Sequence, residues 1–221
     1  MNDIFKSDSM RQKVYNQIFD KIISGCYLPD EILKENNFIQ EFKMSKSPVR
    51  EAMIELCRDN ILYSIPRHGY RIYTFNEDEI NKIIQFRVLV EPHYLNKYWD
   101  SIDGNKIRIF YDDLLHTEEI KKPFPIVNHW KNNILFHTRL ASLFHDDFYS
   151  RTLIHTLRCQ TMGYVQFYYR RYKSTKIVLD QSSHLKIIEA IIAKDRSAAI
   201  RHLKEDILEY PEAKLGIEVD I

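Results

Sequence analysis

Ser45-Lys46-Ser47-Pro48-Val49-Arg50-Glu51-Ala52, running on through Met53-Ile54-Glu55-Leu56, is the stretch whose reading decides the fold. Val49, Ala52, Met53 and Leu56 recur at i, i+3, i+4 and i+7, so one face of a helix carries them all and turns them toward a core. Pro48 falls in the first turn, where a missing N–H costs no intrahelical bond, and Ser45 is of the type that caps a helix start. Lys46, Ser47 and Arg50 are left on the outer face. A helix over 46–59 that presents a lysine, a hydroxyl and an arginine near its start suits base edges and phosphates in a major groove.

The neighbouring segments complete a pattern around it. Between Arg11 and Ser24, Val14, Ile18 and Ile22 form a helical stripe flanked by Tyr15, Phe19 and Ile23, and Gly25 supplies a stop. A second, short helix is expected over 33–41, broken at Phe42-Lys43-Met44-Ser45 before the decisive helix begins. After it, Ile61-Leu62-Tyr63-Ser64-Ile65 and Tyr70-Arg71-Ile72-Tyr73-Thr74 are rich in β-branched and aromatic residues, with a turn at Pro66-Arg67-His68-Gly69. Helix, helix-turn-helix and hairpin together predict a winged helix-turn-helix over residues 1–76, its wing tip carrying Arg67 and His68, with Gly69 allowing close backbone approach. The bland alternative is a three-helix domain with a solvated charged face.

Composition does not decide for nucleic acid, because the 221 residues carry a net charge of only +1. The pointer is placement: Lys43, Lys46, Arg50, Arg67 and Arg71 fall on the turn, the outer helix and the wing. A chain with 44% hydrophobic and 13% aromatic residues has material for a real core. No apolar run approaches the roughly 20 residues of a membrane helix, and the start lacks a signal-peptide pattern. A cytoplasmic protein without a membrane partner is expected. Cys26, Cys57 and Cys159 are too scattered for a disulfide framework or a cysteine zinc site, and are expected as buried thiols.

The second half, 77–221, reads as an all-helical antiparallel bundle, so the fold class is mainly α. Asn76 with Glu79 forms a capping-box pattern, and helices are expected over 77–100, 104–121, 125–145, 147–172, 180–194 and 195–209, with a kink at Pro92. Two pairs stand out among its polar residues. Asn133 and His137 lie at i, i+4 on one helical face. His184 and Asp206 lie on either side of a turn near Lys194-Asp195, so two antiparallel helices would set them abreast. The four are candidate ligands of one divalent metal ion, or else a polar cluster lining a cavity. Arg87 and Glu91, also at i, i+4, are a structural ion pair or a grip in which Arg87 holds an effector carboxylate. Tyr164, Tyr168, Tyr169, Arg170 and Arg171 line a pocket, form a dimer contact, or simply pack.

Ser45-Lys46-Ser47-Pro48-Val49-Arg50-Glu51-Ala52 resembles the Ser-Arg-Thr-Pro-Val-Arg-Glu-Ala signature of GntR-family recognition helices, and Arg67-His68-Gly69-Tyr70 resembles that family's wing. The resemblance implies operator contacts by Lys46, Ser47, Arg50 and His68. Lysine at 46 replaces the usual arginine, and Asn36 stands where some members have another DNA-contacting arginine. Lysine cannot make arginine's forked contact to guanine, so the operator sequence does not carry over. Residues 77–210 resemble the FCD domain of the FadR-like branch. Many such domains hold a divalent metal with an Asp-x-x-x-His pair and two further histidines. His137 and His184 match two of those positions, while Asn133 replaces the first acid and Asp206 the last histidine. His-His-Asp with a weak fourth donor suits zinc, nickel or manganese. The resemblance implies a homodimer on double-stranded operator DNA, controlled by a small-molecule effector of organic-acid type, and not an enzyme. The alternative from another class is a metal-dependent enzyme using the His-His-Asp site to activate water, for which no separate general base or nucleophile is placed by spacing.

Overall fold

Apolar residues at helical spacing build the first layer of the structure. The computed structural model describes residues 9–28, 30–118, 126–172 and 182–208. By internal contacts the chain falls into two units: the first gathers the described residues up to Asn76 with Thr161–Arg171, the second Glu77–Gln160 with the described residues from Tyr172 on.

In the first unit, α1 (Met10–Ile23) begins at Ser9, whose hydroxyl accepts from the Gln12 amide at 3.2 Å. It packs on α3 (Lys46–Arg58), burying Val14, Ile18 and Ile22 with Val49, Met53 and Leu56. Each such side chain contributes about 1.5–3 kcal/mol when fully buried. Tyr15 ties the two helices further, its hydroxyl donating to Asp59 at 2.6 Å. Between them in chain order comes α2 (Glu35–Phe42), which packs on α3 and is closed by Lys43 in the left-handed region at φ 52°. Ser45 takes the N-cap position of α3 but its side chain makes no capping bond, against the sequence expectation.

The hairpin consists of β1 (Leu62–Ile65) and β2 (Gly69–Ile72), antiparallel, with Leu62 opposite Ile72 and Ile65 opposite Gly69. Leu33, expected to open a helix, instead joins this sheet. Its N–H donates to Tyr70 O at 2.8 Å, and the Tyr70 N–H donates back to Leu33 O at 2.9 Å. After the hairpin, Gln166 of this unit brackets the chain: its amide donates to Tyr73 O at 2.6 Å and accepts from the Phe75 N–H at 3.0 Å.

The second unit is helical. It comprises α4 (Glu77–Lys97), a 3-10 turn (Trp99–Ser101), α5 (Gly104–Glu118), α6 (Ile126–Ser142), the first part of α7 (Asp147–Tyr172), α8 (Ser182–Ile192) and α9 (Arg196–Leu208). α4 runs through Pro92 without a break in helical assignment. α8 and α9 form a tight hairpin whose turn places Lys194 at φ 61°, and they pack on α5 and α4 respectively. The expected helix ends at 119–121, 125, 180–181 and 209, and the tail 211–221, lie outside the described residues. So do the side chains of Tyr168, Tyr169, Arg170 and Arg171, whereas Tyr164 is buried. The cysteines depart from expectation: Cys159 is buried, Cys57 is half-buried and Cys26 is exposed. Among the described residues, no helix is long and apolar enough to cross a membrane.

Candidate functional site

Two places in the molecule concentrate chemistry. The first lies on the surface of the winged-helix unit. Because Val49, Ala52, Met53 and Leu56 are buried, the helix geometry turns Lys46, Ser47 and Arg50 outward, and all three are exposed. Ser47 is not idle there, since its hydroxyl donates to Glu51, one turn on, at 2.8 Å. Arg67 and His68 are exposed at the hairpin tip, where Arg67 adopts φ 67° and the His68 N–H closes the turn on Ile65 O at 3.0 Å. A concave space of about 340 Å³ beside them is lined by Lys34, Asn36, Ser64, Arg67, His68 and Tyr70, among others. Gly69 has a structural reason to be glycine: its φ is +133°, and a Cβ there would meet Leu33 O at 2.5 Å. Its close approach is to the chain's own backbone at Leu33.

The second place is buried in the helical unit. Arg87 and Glu91 of α4 are 1% and 2% exposed and paired, Arg87 Nε to Glu91 Oε1 at 2.5 Å. The same guanidinium donates from Nη1 to Gln160 Oε1 of α7 at 2.6 Å, while its Nη2 is buried without a hydrogen-bond partner among the described residues. The other Glu91 oxygen lies 2.7 Å from His137 Nδ1 of α6. His137 Nε2 faces Asp206 Oδ2 of α9 at 3.0 Å, and the second Asp206 oxygen lies 3.4 Å from His184 Nε2 of α8. The His184 ring stacks on Phe136 at 3.8 Å, which fixes its plane. Burial pushes the Glu91 carboxyl up, but the Arg87 guanidinium and His137 more than offset this and hold it below the usual carboxylate range. Donor atoms of His137, His184 and Asp206 all lie within 4.8 Å of one another.

Residues 10–72 match the family model described as bacterial regulatory proteins, gntR family. The chain is 25% identical over 190 residues to the HTH-type transcriptional regulator YdhC of Bacillus subtilis (strain 168), covering 86% of this chain and 84% of that protein. It is also 25% identical over 192 residues to the gluconate operon transcriptional repressor of the same organism, covering 84% and 77%.

Residues 10–72 thus carry a segment of the gntR family of bacterial regulatory proteins.

Both relatives are named as transcriptional regulators, which speaks for regulation and against the water-activating alternative. Solved structures share the fold over most of the chain. The solved structure of Escherichia coli McbR/YncC superposes with a TM-score of 0.68 at 18% identity, over 90% of this chain and 93% of that one. A GntR regulator from Rhodococcus sp. RHA1 gives 0.63 at 20% identity, over 89% and 93%.

Of the residues singled out from the sequence, His137, His184 and Asp206 come together, from three different helices. Asn133 is half-buried one turn before His137, and its side chain makes no hydrogen bond to the other three among the described residues. Arg87 joins the same cluster through Glu91. Sequence reasoning missed the bond from Glu91 to His137 and the role of Gln160, because both link residues far apart in the chain. It also missed Glu35, whose carboxylate accepts a bond from the Tyr70 hydroxyl at 2.9 Å.

Proposed function

We propose that this GntR regulator binds a pseudo-palindromic operator as a homodimer in the cytoplasm, and that an FCD-type helical domain senses a small organic acid through a divalent metal held by His137, His184 and Asp206. The observation that carries the reading is the buried approach of His137 Nε2 to Asp206 Oδ2 at 3.0 Å. His137 Nδ1 lies against Glu91, and His137 Nε2 faces the Asp206 carboxylate without an aligned hydrogen bond among the described residues. A carboxylate buried in a dry core calls for positive charge beside it, which a metal ion between these two atoms would supply.

The donor set fits a metal. Two imidazoles and a carboxylate suit zinc, nickel or manganese; ligands about 2.0–2.2 Å from one tetrahedral ion lie roughly 3.3–3.6 Å apart, inside the range of 3.0–4.8 Å spanned by the donors here. Glu91 on His137 Nδ1 is the outer partner that fixes the tautomer of a metal-bound histidine. Asn133 is offered as a weak fourth oxygen. Bound there, the ion would act as a Lewis acid that anchors an anionic oxygen.

Charge also favours an acid effector. Leaving the two imidazoles out of the count, Arg87 against Glu91 and Asp206 leaves one negative charge uncompensated in a buried cluster. A divalent ion turns this into one uncompensated positive charge, which a carboxylate neutralises. The buried Nη2 of Arg87 is a donor suited to the same group. On DNA, Lys46, Ser47 and Arg50 enter the major groove while Arg67, His68 and Gly69 approach the backbone or minor groove.

The test starts from duplexes selected by the full chain out of random-sequence DNA, with affinity read by fluorescence anisotropy across a panel of small carboxylates, with manganese or with EDTA. By linkage, an acid that stabilises one arrangement changes operator affinity by about 5–150-fold. A panel in which no acid changes affinity in either condition counts against the sensor reading. Arg50→Ala is expected to abolish selective binding with the fold intact, and unchanged affinity in that variant would sink the assignment of the recognition helix.

A further inference from the structure

The wing of this regulator is a hairpin of four residue pairs, and two strands of that length are marginal on their own in water. Something must hold it at a fixed angle to the recognition helix if both are to meet one duplex. The contacts that do so converge on a single residue. Tyr70 exchanges two backbone hydrogen bonds with Leu33, at 2.8 and 2.9 Å. Its hydroxyl then donates to Glu35 Oε1 at 2.9 Å, in the first turn of α2. Three bonds thus pin the start of β2 to the start of the helix-turn-helix, directly behind Arg67 and His68. Gly69 makes the approach feasible, since any side chain there would strike the Leu33 carbonyl.

The electrostatics agree with a tight contact. Burial, with the Glu35 carboxylate beside it, pushes the Tyr70 phenol up to about 12, and Arg50 of the recognition helix is near enough to pull it partly back. The hydroxyl therefore remains a proton donor throughout the physiological range. Wing and α2 meet at this phenol, within electrostatic range of the recognition helix.

We propose that Tyr70 and Glu35 are positioning residues for operator recognition: the clasp between them sets the angle of the wing, so that Arg67 and His68 engage DNA together with Lys46, Ser47 and Arg50. Neither residue need touch the duplex. Tyr70→Phe removes the hydroxyl and keeps the ring and both backbone bonds, so it loosens the wing without deleting it.

The experiment is a double-mutant cycle on the full chain, using a duplex selected from random-sequence DNA by the unmodified protein and read by anisotropy. Tyr70→Phe is expected to weaken binding about five- to tenfold, the scale of one charge-assisted hydrogen bond. In an Arg67→Ala background the same change should cost less than about twofold, because the wing tip it serves is already disabled. In a Lys46→Ala background it should cost its full factor. Glu35→Gln keeps an acceptor for the hydroxyl and should bind within about twofold of the parent, whereas Glu35→Ala should match Tyr70→Phe. Unchanged affinity in Tyr70→Phe, or full additivity with Arg67→Ala, overturns the proposal. Loss of the cooperative melt in both Tyr70→Phe and Glu35→Ala overturns it as well, since the contact would then serve the fold and not the wing's placement.

Discussion

Arg87→Met tests the energetics of the buried cluster. The side chain is 1% exposed and pairs with a carboxylate that is 2% exposed, so removing its charge leaves Glu91 buried with His137 as its remaining partner among the described contacts. An uncompensated buried charge of this kind costs about 3–5 kcal/mol. Methionine keeps most of the length and volume, so the cavity contribution is small. For a unit of this size the loss corresponds to a melting temperature about 10–20 °C lower. Both tryptophans of the chain, Trp99 and Trp130, are buried in the helical unit, so urea unfolding followed by tryptophan fluorescence reports on that unit alone. Combining Arg87→Met with Glu91→Gln removes both charges while leaving an amide oxygen as acceptor opposite His137 Nδ1, and should recover at least half of the loss. A single variant that costs less than about 1 kcal/mol, or a double variant as unstable as the sum of the two singles, would refute the reasoning.

Other outcomes follow from the same contacts. Gly69→Ala forces a Cβ to within 2.5 Å of Leu33 O at φ +133°. It should cost about 1–3 kcal/mol in a thermal melt and abolish selective DNA binding. Gln166→Ala deletes both side-chain bonds to the backbone at Tyr73 and Phe75. It should cost about 1–3 kcal/mol and strip the Phe75 amide of hydrogen-exchange protection, whereas retained protection would count against that contact. Thiol titration at pH 8 should find Cys26 reacting fast, Cys159 shielded by burial, and Cys57 slow, because burial pushes its thiol up to about 11 and leaves roughly a thousandth of it as thiolate. Rapid modification of Cys57 in the folded chain would contradict this.

What was legible in the sequence is what periodicity can carry. Val49, Ala52, Met53 and Leu56 declare α3 and its outward face through the 3.6-residue repeat alone, and the hairpin announces itself through β-branched and aromatic runs around a turn. Leu33 was misplaced because a one-residue strand has no period to read, and its place is decided by the partner, Tyr70, 37 residues later. The meeting of His184 with Asp206 was foreseeable, since one tight turn joins their helices. The bond from His137 to Glu91 was not, because it depends on how α4 and α6 pack, which no local spacing encodes. Cys26 shows the opposite error: a residue type usually buried sits exposed just beyond the end of α1.

The most direct measurement is the metal content of the full chain purified without chelator, read alongside its melting temperature before and after EDTA. About one equivalent of a divalent ion per chain, a melting temperature that falls with EDTA, and loss of both effects in His137→Ala are the predicted result. A chain that holds no ion and melts unchanged when zinc, nickel or manganese is added would contradict the metal-assisted sensor.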